Sequence, residues 1–409
     1  MNTIITPTWV TKDTATNFKN NTKLIGNFDR QWDENWTDKP EGAQIGSTAQ
    51  VRIQQRFTVT EGQGFQAQAL LNQTVPVTLN HQFQVGMNWS SKQATVDIEM
   101  VQERYTKPAG RAQASKWDAV AGAEVYKSVY NSIGTPGGGV LTNYQTWTDG
   151  VAHLQDIAVP QEYCAVVTPL QQSGLLQTSF AQFNPAAQVS TYFKTGQFAA
   201  QALGADEWYY DPLLPTHTTG SFTASTPIVT SGSQTGSTLT TSGWGTYALV
   251  AGDVFTVDGV YEVNPVSYTS TGRLQQFVLT AAVSGSSTAT LTFSPAIITS
   301  GQLQTVTASP AANAAVNVLG ATGSVAGTMT ATASRQNLLF HRSAFAFVMV
   351  SLDDNLPGAV AKTINDRETQ ISMRFVEQYN GQTDQKISRI DTLGGVAAIL
   401  PYFAIRAWN

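Results

Sequence analysis

Residues 75–87 read Val-Pro-Val-Thr-Leu-Asn-His-Gln-Phe-Gln-Val-Gly-Met, and residues 51–59 read Val-Arg-Ile-Gln-Gln-Arg-Phe-Thr-Val. In the first stretch Val75, Val77, Leu79, Phe83, Val85 and Met87 alternate with Pro76, Thr78, Asn80, Gln82, Gln84 and Gly86. In the second, Val51, Ile53, Phe57 and Val59 alternate with Arg52, Gln54, Arg56, Thr58 and Thr60. Alternation of period two puts the apolar side chains on one face, so both stretches read as half-buried strands. The connection between them, residues 61–74, carries Gly62 and Gly64 near its start. Together they predict a hairpin arm on the order of 35–45 Å long, at about 3.4 Å per residue. A two-stranded hairpin is marginal in water, so its apolar face needs cover. A larger sheet of the same chain or the surface of a neighbouring subunit would supply that cover, and the pattern does not choose between them.

Upstream, residues 1–45 are polar and broken, and predict an extended arm with a short helix at most. Trp9, Trp32 and Trp36 are costly to leave in water, so this arm is expected to lie on another surface. Downstream, a short strand (Val96, Ile98, Met100) precedes an Ala-rich helix over 109–133. Gln113, Lys116, Glu124, Lys127 and Asn131 form its polar stripe, and Trp117, Ala121, Val125 and Val129 lie elsewhere. Gly134 is a plausible stop. Pro169–Phe183 and Ala186–Leu203 read as helices and Tyr163–Val167 as a strand.

Composition then changes. From Pro212 to Ser334, 123 residues carry four charges, Asp253, Asp258, Glu262 and Arg273, and 38 of the 114 residues from Ser221 to Ser334 are Ser or Thr. Strand-like runs recur between turn residues, which predicts a small all-β module; the competing reading of such a tract is disorder. The sequence after it returns to mixed character, with a dense apolar run at Asn337–Leu352 and alternation at Ile371–Gln378. A distinct stretch between two similar ones is the mark of an inserted domain.

The chemistry of sites is sparse. Charged residues are 12% of 409, and the net charge is −5, which argues against a nucleic-acid grip through a basic face. The single Cys164 rules out an internal disulfide framework and reads as a buried small hydrophobe. No secretory signal and no apolar run of membrane-spanning length is visible. His81, His153, His217 and His341 show no metal-ligand spacing, and no nucleophile elbow or phosphate loop is present. Gly243–Ala248 matches GxGxxA only formally, with no helix expected after it. The acid pairs Asp33-Glu34, Asp206-Glu207 and Asp353-Asp354 read as solvated loop or helix-start acids, and His341-Arg342 as a strand histidine beside a surface arginine, with an anion site as the alternative. No catalytic, cofactor or metal residues are assigned.

What the chain does show is a set of packing elements: arm, hairpin, helix and β insert. Their order resembles the tailed-phage major capsid proteins of the Hong Kong phage-type coat fold, and more narrowly the short-tailed-phage subgroup with an inserted Ig-like domain. The wording that carries the resemblance is Leu338-Leu-Phe-His-Arg-Ser-Ala-Phe345, Asp384-Gln-Lys-Ile-Ser-Arg-Ile-Asp-Thr-Leu-Gly-Gly395 and, in the insert, Gly252-Asp-Val-Phe-Thr-Val-Asp-Gly259. The resemblance implies an α+β fold with residues 1–45 as N-arm and 46–92 as extended loop. A peripheral domain with the spine helix would take 93–140, completed by 359–390. An apical domain would take 141–215, completed by 334–358 and 391–409, and the insert 216–333.

The implied function is self-assembly of hexameric and pentameric capsomers into an icosahedral head. The head would form as a procapsid with a scaffolding protein and a portal protein in the host cytoplasm, and mature around packaged double-stranded DNA. No cofactor and no membrane are expected. The residues expected at contacts between subunits are Trp32, Trp36, Phe57, Val59, Phe65, Leu79, Phe83 and Val85. Two departures stand out: residues 40–91 contain no Lys for the isopeptide weld of some relatives, and the insert has few charges for salt bridges between capsomers. The alternatives are another structural component (decoration, tail or adhesin) and a carbohydrate-active enzyme.

Overall fold

The structure, a computed structural model, describes residues 7–30, 47–59, 61–62, 64, 67–90, 102–182, 198, 201–321, 327–366 and 371–409. The chain divides into two units. The first takes the residues up to Arg52, Thr74–Ala121 and Phe345–Ile399; the second takes Ile53–Gln73, Gly122–Ala344 and Leu400–Asn409.

The first unit is a five-stranded antiparallel sheet with helices. Gln385–Ala398 is its central strand, paired with Ile371–Asn380, with Phe345–Val350 and with His81–Ser90. Val360–Asp366 closes the far side. The alternating stretch of the opening is thus cut in two. Thr74–Thr78 pairs with Thr48–Arg52 as a short hairpin, but after Leu79 the chain leaves it, and His81–Ser90 joins the larger sheet with Phe83 opposite Thr392 and Val85 opposite Ile390. The expected long two-stranded arm is not formed in the described residues. Alternation reports that one face is buried; it carries no information about the partner strand.

The helix Lys107–Val125 lies on this sheet through Trp117. That ring is fully buried, its Nε1 donates to Thr392 Oγ1 at 3.0 Å, and it meets Phe83 and Phe347 at centroid distances of 4.8 and 5.2 Å. The Gly394-Gly395 pair makes the approach possible. A Cβ on Gly394 would stand 2.5 Å from the Val348 carbonyl and 3.0 Å from the Trp117 ring, and one on Gly395 would stand 2.0 Å from the Thr78 carbonyl. Gln113, expected on a polar stripe, is buried and donates to the Ile390 carbonyl at 2.8 Å. The helix also ends earlier than 133: a 3-10 turn, Tyr126–Ser128, follows it, and Ser132–Ile133 is already a strand.

The N-terminal segment is more ordered than an extended arm. Pro7–Asn21 is a helix whose Val10, Thr11, Thr14, Ala15 and Phe18 form a buried stripe at helical spacing. Two of these are threonines, which disguises the stripe; Thr14 satisfies its hydroxyl by donating to the Val10 carbonyl, four residues back. The helix crosses Lys107–Val125 at Gly110, where a Cβ would come within 2.8 Å of the Thr14 carbonyl. Asp118 then accepts from the backbone N–H groups of Lys23 and Ile25, both at 2.9 Å.

The second unit holds a six-stranded sheet and the β module. Along the sheet run Ser132–Ile133, Ala404–Trp408, Ala333–His341, Tyr163–Val167 and Glu207–Tyr210, with Thr216–Thr218 also paired to Ala333–His341. The helix Tyr144–Asp156 contributes Trp147, Val151 and Leu154 to its core. Pro169–Gln182 is helical as expected, while most of the expected helix Ala186–Leu203 lies outside the described residues. The module's own strands run from Ser221 to Met329, eight in all: seven lie on one antiparallel path in the order Val316–Val318, Val254–Val263, Ser270–Leu279, Val283–Ile297, Gly236–Leu249, Ser221–Ser225 and Gly327–Met329, and Ile228–Val229 pairs with Gly236–Leu249 beside it. All eight feed one core around Trp244, Phe255, Phe277, Leu291 and Phe293. The Ser/Thr-rich tract is therefore a folded domain: Leu239, Trp244, Tyr247 and Leu249 of one long strand and Ala289, Leu291, Phe293 and Ile297 of another are buried, and most of the Ser and Thr residues between them are exposed.

Candidate functional site

The residues singled out for contacts between subunits fall into three groups. Trp32, Trp36 and Phe65 lie outside the described residues. Leu79, Phe83 and Val85 belong to the first unit and are half-buried there, Phe83 against Trp117 of its own chain. Phe57 and Val59 belong to the second unit and are 57% and 99% exposed, as are Leu70 (70%) and Leu71 (42%) farther along the same loop. These four have no apolar cover within the described residues of the chain.

The loop that carries them, residues 53–73, is tied down by polar contacts. Thr58 and Gln68 exchange backbone and amide hydrogen bonds, Gln302 Nε2 of the β module donates to Gln68 Oε1 at 3.0 Å, and the Arg56 guanidinium sits 4.9 Å from the Tyr402 ring centroid. Backbone pairing stops at Ile53–Gln73. Polar side chains hold the loop and its apolar side chains point to solvent, the reverse of a core-seeking segment.

A second constellation joins the β module to the six-stranded sheet. His217 Nε2 is 2.9 Å from Asp253 Oδ1, and its Nδ1 is 3.2 Å from the Tyr126 hydroxyl. Asp253 Oδ2 also accepts from the N–H groups of Gly220 and Val250. Arg406 is fully buried beside them, donating to the Gly252 and Tyr126 carbonyls, with its guanidinium 4.8 Å from the Trp408 ring. Burial pushes the Arg406 pKa down to about 10, against the pull of Tyr126 and Asp253 upward, and it remains a cation at neutral pH. A second buried pair, His153 with Glu262, stands at 2.8 Å, and Arg273 meets Asp156 at 3.4 Å on the surface. Three of the module's four charges thus meet residues of the same chain outside the module, Asp253 on the strand Thr216–Thr218 and Glu262 and Arg273 on the helix Tyr144–Asp156; the fourth, Asp258, accepts from Asn317 within the module at 2.8 Å.

The Tyr126–His217–Asp253 chain has the order of a nucleophile, base and orienter, but all three are buried against Trp408, Arg406 and backbone. It is a structural joint. A cavity of about 310 Å3 opens inside the module against Phe222, Pro227, Val316 and Val318, and among the described residues no titratable side chain lines it. Asp206 caps the Tyr163 N–H at 3.0 Å, while Asp353 and Asp354 accept from the N–H groups of Asn355 and Thr363. Asp33-Glu34 lies outside the described residues. The alternative of an anion site at His341-Arg342 is closed by Glu207, whose two oxygens lie 3.1 and 3.0 Å from Arg342 Nη2. Cys164, beside this pair, is buried, and desolvation pushes its pKa up to about 11, which keeps the thiol protonated. Gly243–Ala248 lies within the strand Gly236–Leu249, with Trp244 in the core, so it opens no helix.

Sequence reasoning missed the seam between module and sheet, because His217 and Asp253 are 36 residues apart and His153 and Glu262 are 109 apart. One signal was present: charges so rare in a neutral tract are held there by partners.

The family model described as P22 coat protein, gene protein 5, matches residues 66–405. No curated protein matches the chain significantly. Among solved structures, one of Mycobacterium phage Che8 is similar at 9% identity over 94% of this chain and 90% of that one, with a TM-score of 0.41. A capsid structure of the cyanophage P-SCSP1u is similar at 10% identity over 90% and 84%, also with a TM-score of 0.41. The CUS-3 coat protein I-domain is similar at 24% identity, covering 24% of this chain and 96% of that one, with a TM-score of 0.18.

Proposed function

The chain belongs to the P22 coat protein family, and on that premise we propose how its parts build a shell. It is the major capsid protein of a tailed-phage head, a structural component of the virion and not an enzyme. In our reading the subunits form hexameric and pentameric capsomers, assemble with a scaffolding protein and a portal protein, and enclose double-stranded DNA. The extended loop is the contact between subunits. The observation that carries this assignment is the exposed apolar set Phe57, Val59, Leu70 and Leu71, held on a loop whose polar side chains are already bonded. A free monomer gains nothing from that arrangement; a subunit that meets copies of itself covers it, and symmetry repeats the gain around the shell. Leu79, Phe83 and Val85 enter this reading as the base from which the loop springs.

The test is co-expression with the scaffolding protein and electron microscopy of the product. Closed shells are expected. Monomers alone, from a chain that is folded by circular dichroism, would overturn the assignment.

A further inference from the structure

We propose that the inserted module sets which face of the extended loop meets a second copy of this chain, and that Gln302 is the residue that positions it. Residues 53–73 and the module lie in the same unit. Beyond Ile53–Gln73 the loop has no backbone rung among the described residues, and side-chain amides continue the pairing instead. Gln55 Nε2 donates to the Leu71 carbonyl. Gln68 closes the next rung on Thr58: its Oε1 accepts from the Thr58 N–H at 3.0 Å, and its Nε2 donates to the Thr58 carbonyl. A carbonyl oxygen has two lone pairs, so Gln68 Oε1 can accept once more after Thr58 is bonded. Gln302 Nε2 donates to it at 3.0 Å, and among the described residues this is the hydrogen bond that ties the module to the loop.

The module presents Gln302 on a fixed turn. The Gln304 N–H donates to the Gly301 carbonyl at 3.1 Å, and the Tyr268 hydroxyl donates to the Gln302 carbonyl at 3.0 Å. Tyr268 belongs to a turn organised by Asn264, whose Oδ1 accepts from the N–H groups of Val266 and Ser267 and whose Nδ2 donates to the Asp156 carbonyl on the helix Tyr144–Asp156. A run of bonds thus leads from that helix through the module to the loop. The loop is the soft end of the run, because its rungs are made by glutamine side chains with several rotatable bonds.

The bond decides orientation because exposure alternates along the loop. Phe57 and Val59 are exposed, and Thr58 between them is half-buried; Ala67 and Ala69 are exposed, and Gln68 between them is half-buried. Holding Thr58 and Gln68 towards Gln302 turns Phe57 and Val59 away from the module and into solvent, where a second copy can reach them. Arg56 over the Tyr402 ring anchors the loop outside the module, and a single long side chain permits the backbone to roll about it. Without Gln302 the hydrophobic effect favours rolling Phe57 and Val59 onto the subunit's own surface. One neutral hydrogen bond adds little to global stability, so its loss shows as local opening of the loop with the module still folded. A loop already held in its docking posture has less ordering left to undergo on contact, which favours association. This inference rests on the coat reading above, which makes a second copy the partner.

The test uses the full-length subunit. Hydrogen–deuterium exchange is read by mass spectrometry on peptides covering residues 54–59, and shell formation with the scaffolding protein is followed by light scattering and electron microscopy. Gln302→Met keeps the length of the side chain and removes the donor. It should raise exchange in 54–59 about fivefold and slow shell formation by a similar factor, the scale that one neutral hydrogen bond supports. Its denaturation midpoint should stay at the parental value. Gln302→Lys restores a donor of similar reach and should return exchange and shell formation to parental values. Unchanged exchange in Gln302→Met, or equal defects in the Met and Lys variants, would overturn the proposal. Raised exchange with parental shell formation would overturn it too, because the loop would then be freed without consequence for assembly. A lowered midpoint in Gln302→Met would assign Gln302 to the stability of the module and sink the positioning role. Failure of the parent to form shells would count against the coat reading, while exchange in the three proteins would still decide whether Gln302 holds the loop.

Discussion

The β module and the extended loop leave the same chain at opposite extremes. The module buries nineteen residues in its own core, pairs eight strands into one sheet, and ties its rare charges to its own subunit. The loop has almost the same tolerance for Gln and Thr on its polar side, yet Phe57 and Val59 face water and its backbone pairing stops after one step. One segment finishes folding alone. The other leaves its apolar side chains in water, and in the proposed reading a second surface covers them. The difference lies in strand number: eight paired strands can turn their apolar residues on each other, and a single loop cannot.

Substitutions can break this contrast from either end. The largest effect is expected at the seam. Asp253→Ala strands His217 and the N–H groups of Gly220 and Val250 in a buried site, and should cost about 3–5 kcal/mol in chemical denaturation of the full chain. An unchanged midpoint would show that the module does not lean on the sheet. Gly395→Ala comes next: its Cβ would sit 2.0 Å from the Thr78 carbonyl, so the hairpin must shift, at about 1–3 kcal/mol by the same measurement. Arg273→Ala removes an exposed pair with Asp156 and should cost less than about 1 kcal/mol. Smallest in stability is Phe57→Asp with Val59→Asp, within about 0.5 kcal/mol because both side chains are already in water, while shell yield falls to background in electron micrographs. Normal shells from that pair would remove the loop from the list of contacts. Separately, Cys164 should resist iodoacetamide at pH 8 in the native protein and react once the chain is unfolded, since its thiol is buried with a pKa raised to about 11.

These effects also mark what could be read in advance. The all-β character of the insert was legible because alternation and turn residues recur over a hundred residues with few competing signals. The strand at 81–90 was legible as a strand, but its pairing with 385–398 was not, since three hundred residues intervene and period two names no partner. The helix Pro7–Asn21 stayed hidden because its buried face includes Thr11 and Thr14, which look polar until Thr14 bonds its own backbone. The helix after Lys107 was seen, while its end was misplaced by several residues: Val125 is followed by a turn that aims the Tyr126 carbonyl at Arg406, a tertiary demand with no local trace. Of the residues proposed for contacts, Phe57 and Val59 were visible as apolar, whereas alternation alone does not tell an exposed apolar row from a covered one.

The point where the chain passes into and out of the module carries one more consequence. Thr219 N–H donates to the Thr332 carbonyl at 3.0 Å, and Thr332 N–H donates to the Thr219 hydroxyl at 3.0 Å, so entrance and exit are held side by side. The strands just outside them, Thr216–Thr218 and Ala333–His341, pair with each other. A foreign domain whose termini lie one strand spacing apart would fit the same socket, provided it offers a carbonyl to Arg406 and an acid to His217. Each head would then carry the guest in as many copies as it has subunits, which makes two bonded threonines a cloning site written in hydrogen bonds.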